Sequence, residues 1–188
     1  DEMVGHGTWA AGIASMVAPD ARLMIIRTLN DEGYADAFTL ARAVYHAIDN
    51  GADVINLSLG SSAQVRLVEG AVDDASDLGI IVVAAGGNQN SVAPEWPAGN
   101  NKSAGIAAVA LDGTLAPFSN WSDGSGGDDL LLGAPGIDIT GPVPGGFGES
   151  SGTSASVPLV AGTAALLIEK GTVRRWADFE EMAKRTAV

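Results

Sequence analysis

Ser154 lies in a run of small residues at positions 151–158, Ser-Gly-Thr-Ser-Ala-Ser-Val-Pro, at the start of a predicted helix. Backbone N–H groups in the first turn of a helix are unpaired, and the positive end of the helix dipole favours a developing oxyanion. Ser154 is therefore a candidate nucleophile. The alternative is an ordinary helix N-cap, a role that serine often fills.

A nucleophilic serine needs a base, which at neutral pH is usually a histidine. The chain has two histidines. His46 falls on the polar side of a helical pattern, which predicts a solvated surface residue. His6 is flanked by Gly5 and Gly7, which allow close approach of backbone or substrate. His6 is the candidate base; a histidine near a loosely held terminus is the alternative.

Asn88 follows two glycines at the end of an apolar run. Its side-chain NH₂ could donate to an oxyanion, an interaction that contributes roughly 3–4 kcal/mol to transition-state stabilisation in such sites. A simple turn is the alternative, because Gly and Asn favour turns.

Strand and helix patterns alternate along the chain. Apolar, largely β-branched runs predict strands at 22–28, 53–59 and 80–85, and two further strand-like runs lie at 104–111 and 130–134. Helical periodicity predicts helices at 36–50, 64–78, 154–170 and 176–186. Such alternation implies right-handed crossovers and a mainly parallel sheet that helices cover on both faces. Active sites then form at the carboxyl ends of the strands.

The bulk composition narrows the class of protein. The 188 residues fit one domain, and the net charge of −13 argues against nucleic acid, which would repel so acidic a chain. No apolar run approaches the ~20 residues that cross a bilayer, so no membrane partner is expected. The absence of cysteine excludes disulfides and thiolate chemistry.

Several motifs together resemble those of the subtilisin-like serine proteases, the subtilases of peptidase family S8. Gly-His-Gly-Thr at 5–8 resembles the family's histidine motif, and Gly-Thr-Ser at 152–154 with Pro158 is similar to its serine motif. The runs 54–60 and 82–88 resemble the strand of the substrate cleft and the segment that ends in the oxyanion asparagine. Phe-Ser-Asn at 118–120 and Gly-Ala-Pro-Gly at 133–136 also match, in the family's order.

The resemblance implies a three-layer α/β/α fold, a subtilase catalytic domain over 1–188, and peptide-bond hydrolysis through an acyl-enzyme. His6 would be the general base, Ser154 the nucleophile and Asn88 the oxyanion donor. No cofactor would be needed for this chemistry. The order of histidine before serine also contradicts an α/β-hydrolase, in which the histidine follows the serine.

The same resemblance predicts a substrate cleft that binds a polypeptide as an added strand. Small residues would wall the pocket for the side chain that precedes the cut, which favours large apolar side chains. The cleft residues expected are Ser58, Leu59, Gly60, Ala85, Gly86 and Gly87.

The match lacks one element, the family's aspartate strand, which normally precedes the histidine. We therefore expect an N-terminally incomplete domain, with an N-terminal fragment or chain as the partner that supplies this strand. The alternative function is a peptide-binding module that does not cut. Asp123, Asp128 and Asp129 are candidate ligands for structural calcium, and a solvated acidic loop is the alternative. Secretion is the family's expectation.

Overall fold

A computed structural model describes residues 5–123 and 130–187. Asp128 and Asp129, two of the calcium candidates, lie outside these ranges. The chain forms, in order, α1 (His6–Val17), α2 (Ala37–Asp49), β1 (Val54–Leu57), α3 (Arg66–Asp77), β2 (Ile81–Ala85), β3 (Ala104–Val109), β4 (Leu132–Pro135), β5 (Ile139–Val143), β6 (Gly146–Ser150), α4 (Thr153–Glu169) and α5 (Trp176–Thr186).

The central sheet is parallel and has the strand order β1-β2-β3-β4. Side chains alternate across β2, so Ile81 and Val83 pack with α4 and α5, whereas Val82 and Ala84 pack with α2 and α3. Both faces of this strand are buried, which explains why its sequence is apolar throughout. The predicted three-layer α/β/α fold with a mainly parallel sheet is confirmed.

The helices begin and end where local chemistry favours it. The Asp36 carboxylate caps α2 by accepting a hydrogen bond from the Thr39 backbone N–H at 2.8 Å. Gly51 and Gly79 follow α2 and α3 with φ of 71° and 92°, a conformation that glycine adopts without strain. The four helices predicted from periodicity are present: three have ends shifted by one or two residues, and α5 has the predicted bounds.

The strand predicted at 22–28 is wrong. This segment is assigned to no strand, and Leu23, Met24 and Ile25 are 46%, 40% and 71% exposed. Among the described residues, no strand pairs with this segment. Apolar composition was therefore not enough to make it a strand, because a strand also needs a backbone hydrogen-bonding partner. Ile26 nevertheless packs against the core cluster that contains Ile55 and Leu57 of β1.

An antiparallel hairpin formed by β5 and β6 was not predicted from the sequence. Its turn is Pro144-Gly145, a dipeptide typical of turns, with Gly145 at φ 89°. The hairpin packs on α1, where Gly12 faces Pro142 and Gly5 faces Pro144 at distances that leave no room for a Cβ. It therefore buttresses the helix that begins at His6.

Candidate active site

Ser154 is the second residue of α4 and is half-buried. Gly152, which has no side chain, occupies the N-cap position of α4, so the alternative of Ser154 as the N-cap is wrong. The Ser154 hydroxyl donates to the Ser58 carbonyl oxygen at 3.3 Å, and the Ser58 hydroxyl donates to the Ser154 carbonyl oxygen at 3.0 Å. The start of α4 is thus joined to the segment that follows β1.

Asn88 lies beside this helix start with a fixed orientation. Its side-chain oxygen accepts from the Thr153 backbone N–H at 2.9 Å and from the Thr153 hydroxyl at 3.0 Å. A backbone N–H can only donate, so the oxygen of the carboxamide must face Thr153 and the NH₂ must face elsewhere. A Cβ built on Gly152 would lie 3.2 Å from that Nδ2 atom. The free NH₂ group is therefore beside the residues that precede Ser154.

His6 begins α1 and is half-buried. Burial lowers the pKa of its imidazole below the ordinary value of 6.5, because a cation loses hydration there. In the described ranges, its side chain forms no hydrogen bond with Ser154 or with a carboxylate.

Helix α1 is held against α4 by close approach at Gly162, where a Cβ would lie 2.7 Å from the Val17 Cβ. His46 is exposed, as predicted.

The predicted cleft residues lie at the carboxyl ends of β1 and β2, which are neighbouring parallel strands; Ala85 is the last residue of β2 and the others follow the strands. Ala85, Gly86 and Gly87 are buried, Ser58 and Leu59 are half-buried, and Gly60 is exposed. The Gly87 N–H donates to the Thr153 hydroxyl at 3.2 Å. The structure therefore brings Ser154, Asn88 and both cleft segments together. His6 begins α1, which packs on α4, and in the described ranges no hydrogen bond joins its imidazole to these residues.

Comparison with known sequences decides the family. The profile of the subtilase family (Peptidase_S8) matches residues 1–188, the whole chain. This chain is a subtilase. It is 37% identical over 197 residues to the "Thermophilic serine proteinase" of Bacillus sp. (strain AK1), covering 99% of this chain and 47% of that relative. It is 35% identical to "Subtilisin Savinase" of Lederbergia lenta, covering 97% of this chain and 70% of the relative.

Solved subtilase structures share the fold. The "cold adapted subtilisin-like serine proteinase" matches with a TM-score of 0.88 and 28% identity over 97% of this chain and 67% of its own. "Sphericase" matches with a TM-score of 0.85 and 28% identity over 95% of this chain and 68% of its own. The subtilase chain described here thus spans only part of its relatives, about half of the Bacillus proteinase. In its described part, no helix has the length and apolar character to cross a membrane.

Two residues of this subtilase site were not predicted from sequence. Thr153 was noted only as part of a motif, although its backbone and hydroxyl orient Asn88. Asn120, which is 1% exposed, accepts from the backbone N–H groups of Gln89 and Ser91 at 2.9 Å and 3.1 Å. The backbone N–H of Asn120 donates to the Gly87 carbonyl oxygen at 2.9 Å. Asn120 thereby fixes the loop that carries Asn88; its place in the Phe-Ser-Asn motif was the available signal.

The calcium expectation stays a prediction. Asp123 is described, whereas its two predicted companions are not. Within 5–123 and 130–187, no group of three or more His, Cys, Asp or Glu residues could hold a metal ion.

Proposed function

We propose that the protein is a serine endopeptidase that cleaves peptide bonds through an acyl-enzyme on Ser154. The observation that carries this proposal is the fixed orientation of Asn88, whose NH₂ is freed by two hydrogen bonds from Thr153 to its oxygen. An amide donor held beside a serine in the first turn of a helix suits an oxyanion of acyl transfer. A mere turn asparagine would need no such orientation.

In the proposed mechanism, a peptide lies extended along residues 58–60 as an added strand. His6 accepts the Ser154 proton as the hydroxyl oxygen bonds to the scissile carbonyl carbon. The oxyanion then receives hydrogen bonds from Asn88 Nδ2 and from the Ser154 N–H, which as a first-turn group has no acceptor within the helix. Collapse breaks the C–N bond, and His6 passes its proton to the leaving amine. In the second half of the reaction, His6 accepts a proton from water as the water oxygen bonds to the acyl carbon. The ester C–O bond then breaks, the carboxylic acid leaves, and His6 returns the proton to the Ser154 oxygen.

The second candidate is a subtilase-fold module that binds extended peptides without cutting them. It is favoured by the lack, in the described part of the chain, of a carboxylate that hydrogen-bonds His6. The test is cleavage of an unfolded protein substrate by the full-length protein, with Ser154→Ala as the control. Cleavage that the variant loses supports the protease. Binding of the same substrate without cleavage by either protein supports the module.

We also propose that the complete protein contains a strand carrying an aspartate that pairs with the open edge of β1. Two features support this. β1 is one of the two edge strands of the described parallel sheet, and its Asn56 is exposed. The segment 22–28 leaves Leu23, Met24 and Ile25 partly in solvent, while its Ile26 packs against the core cluster that contains residues of β1. An unpaired edge beside exposed apolar surface is costly, and an added strand would cover both.

Secretion, which the family resemblance implies, remains a proposal. Fractionation of the native source tests it: recovery of the protein in the culture medium supports secretion, and retention with cytoplasmic markers contradicts it.

A calcium requirement at Asp123, Asp128 and Asp129 is tested by thermal unfolding with calcium and with a chelator.

A further inference from the structure

Glu95 lies between the two walls of the cleft. A Cβ built on Gly60 would lie 2.5 Å from the Glu95 Oε2 atom, and one built on Gly87 would lie 2.9 Å from its Cγ. The first wall follows β1 and the second follows β2, so the side chain fills the space that both glycines leave. Nothing in the linear sequence connects Glu95 to either wall, and the small wall residues alone predicted an apolar pocket.

Backbone hydrogen bonds fix the position of this side chain. The Glu95 N–H donates to the Gly86 carbonyl oxygen at 2.8 Å, which ties it to the second wall. The next residue, Trp96, forms an antiparallel bridge with Ser61, with N–H···O distances of 2.8 Å and 2.9 Å. The segment therefore crosses between the walls and is bonded to each, so that Glu95 stands on a rigid support.

The carboxylate is only partly satisfied by the protein. Burial raises the pKa of Glu95, and a hydrogen bond from the Gln89 side chain opposes this rise. The oxygen of Gln89 accepts from the Asn88 N–H at 3.0 Å and from Asn120 Nδ2 at 3.1 Å, which leaves its NH₂ for Glu95. No Lys, Arg or His of the described ranges forms an ion pair with Glu95. A carboxylate can accept about four hydrogen bonds, so acceptor capacity remains.

We propose that Glu95 makes this subtilase selective for a cationic side chain, Arg or Lys, immediately before the cut. This inference rests on the proposed peptidase function. A guanidinium or ammonium group entering between the walls would meet the half-buried carboxylate, and its aliphatic stem would lie along the small wall residues. An apolar side chain would instead strip water from the carboxylate without providing a partner, which is unfavourable.

The test uses full-length protein and a set of peptides that differ only before the cut: arginine, lysine, norleucine and phenylalanine. Norleucine matches the lysine stem without its charge. We expect kcat/KM for arginine and lysine to exceed that for norleucine by at least ~10-fold. Glu95→Gln should reduce this ratio by ~10-fold or more, and Glu95→Lys should invert it. The matched control is Glu169→Gln, since Glu169 is exposed at the far end of α4 and should leave the ratio unchanged.

The outcomes separate the inference from the function it rests on. If a small fluorophosphonate labels Ser154 but norleucine or phenylalanine peptides are cleaved as fast as the arginine peptide, the selectivity inference is overturned and the peptidase stands. The same holds if Glu95→Gln leaves the ratio intact. If Ser154 does not label, the peptidase proposal fails, and equilibrium binding of the same peptides decides selectivity: equal affinity for lysine and norleucine peptides overturns it.

Discussion

The side-chain oxygen of Asn88 accepts two hydrogen bonds from Thr153, one from the backbone N–H at 2.9 Å and one from the hydroxyl at 3.0 Å. This relationship links the loop after β2 to the first turn of α4. It means that the donor proposed for the oxyanion is positioned by the residue directly before the nucleophile.

Asn88→Asp separates the two functions of this side chain. Aspartate keeps an oxygen that accepts both bonds from Thr153, but it has no NH₂ group to donate. We expect kcat to fall by ~10²–10³-fold, with KM changed far less, because the lost interaction exists mainly in the transition state. Steady-state kinetics on one peptide measure this. A loss confined to KM would contradict the oxyanion role.

Thr153→Val tests the positioning residue. Valine preserves the shape of the buried side chain but removes the hydroxyl, which also accepts from the Gly87 N–H. We expect kcat to fall by ~10-fold or more as Asn88 loses one of its two restraints, with KM little changed. Thr153→Ser should restore kcat because it retains the hydroxyl. Equal losses in the valine and serine variants would show that packing, not hydrogen bonding, is at issue.

His6 should titrate below 6.5 in the 188-residue chain, because burial lowers its pKa. As pH falls, the unfolded chain therefore takes up the proton before the folded chain does. The stability that neutral His6 contributes is present above pH 6.5 and is lost as pH falls from 6.5 to the lower pKa of the folded state. NMR titration of the imidazole measures the midpoint, and a His46→Gln variant assigns the resonance. A midpoint above 6.5 would contradict the effect of burial.

The same titration tests the proposed aspartate strand. A carboxylate beside the imidazole favours the charged form and raises its pKa. The midpoint should therefore be higher in the full-length protein than in the 188-residue chain. Equal midpoints would contradict an aspartate next to His6.

Gly162→Ala tests the packing of α1, the helix that begins at His6, against α4. The added methyl would meet Val17 of α1 at 2.7 Å, so we expect ~1–3 kcal/mol of destabilisation in denaturant unfolding, together with lower activity as α1 is displaced. Gly70→Ala is the matched control: it lies in α3 with nothing within 4 Å of a new Cβ and should stabilise the protein by up to ~1 kcal/mol. Similar effects of the two substitutions would refute the close crossing.

The sequence predicted most of the fold because periodic burial leaves a local signal. The stripe in 36–50 and the apolar run in 80–85 each identified an element that the structure contains. The run at 22–28 failed because strand formation needs a partner, which apolar composition does not report. The roles of Glu95 and Thr153 were not predicted for a related reason. Glu95 contacts Gly60 and Thr153 contacts Asn88, and contacts between positions so distant in the chain produce no periodic pattern in the sequence.

The most direct test of Ser154 as the nucleophile and His6 as its base is the reaction of the full-length protein with a fluorophosphonate, followed by peptide mapping of the adduct. We predict one adduct, on Ser154, which is abolished by Ser154→Ala and strongly slowed by His6→Ala because the serine loses its base. An absence of labelling at Ser154 in folded full-length protein, or labelling that is unaffected by His6→Ala, would contradict the proposed nucleophile and base.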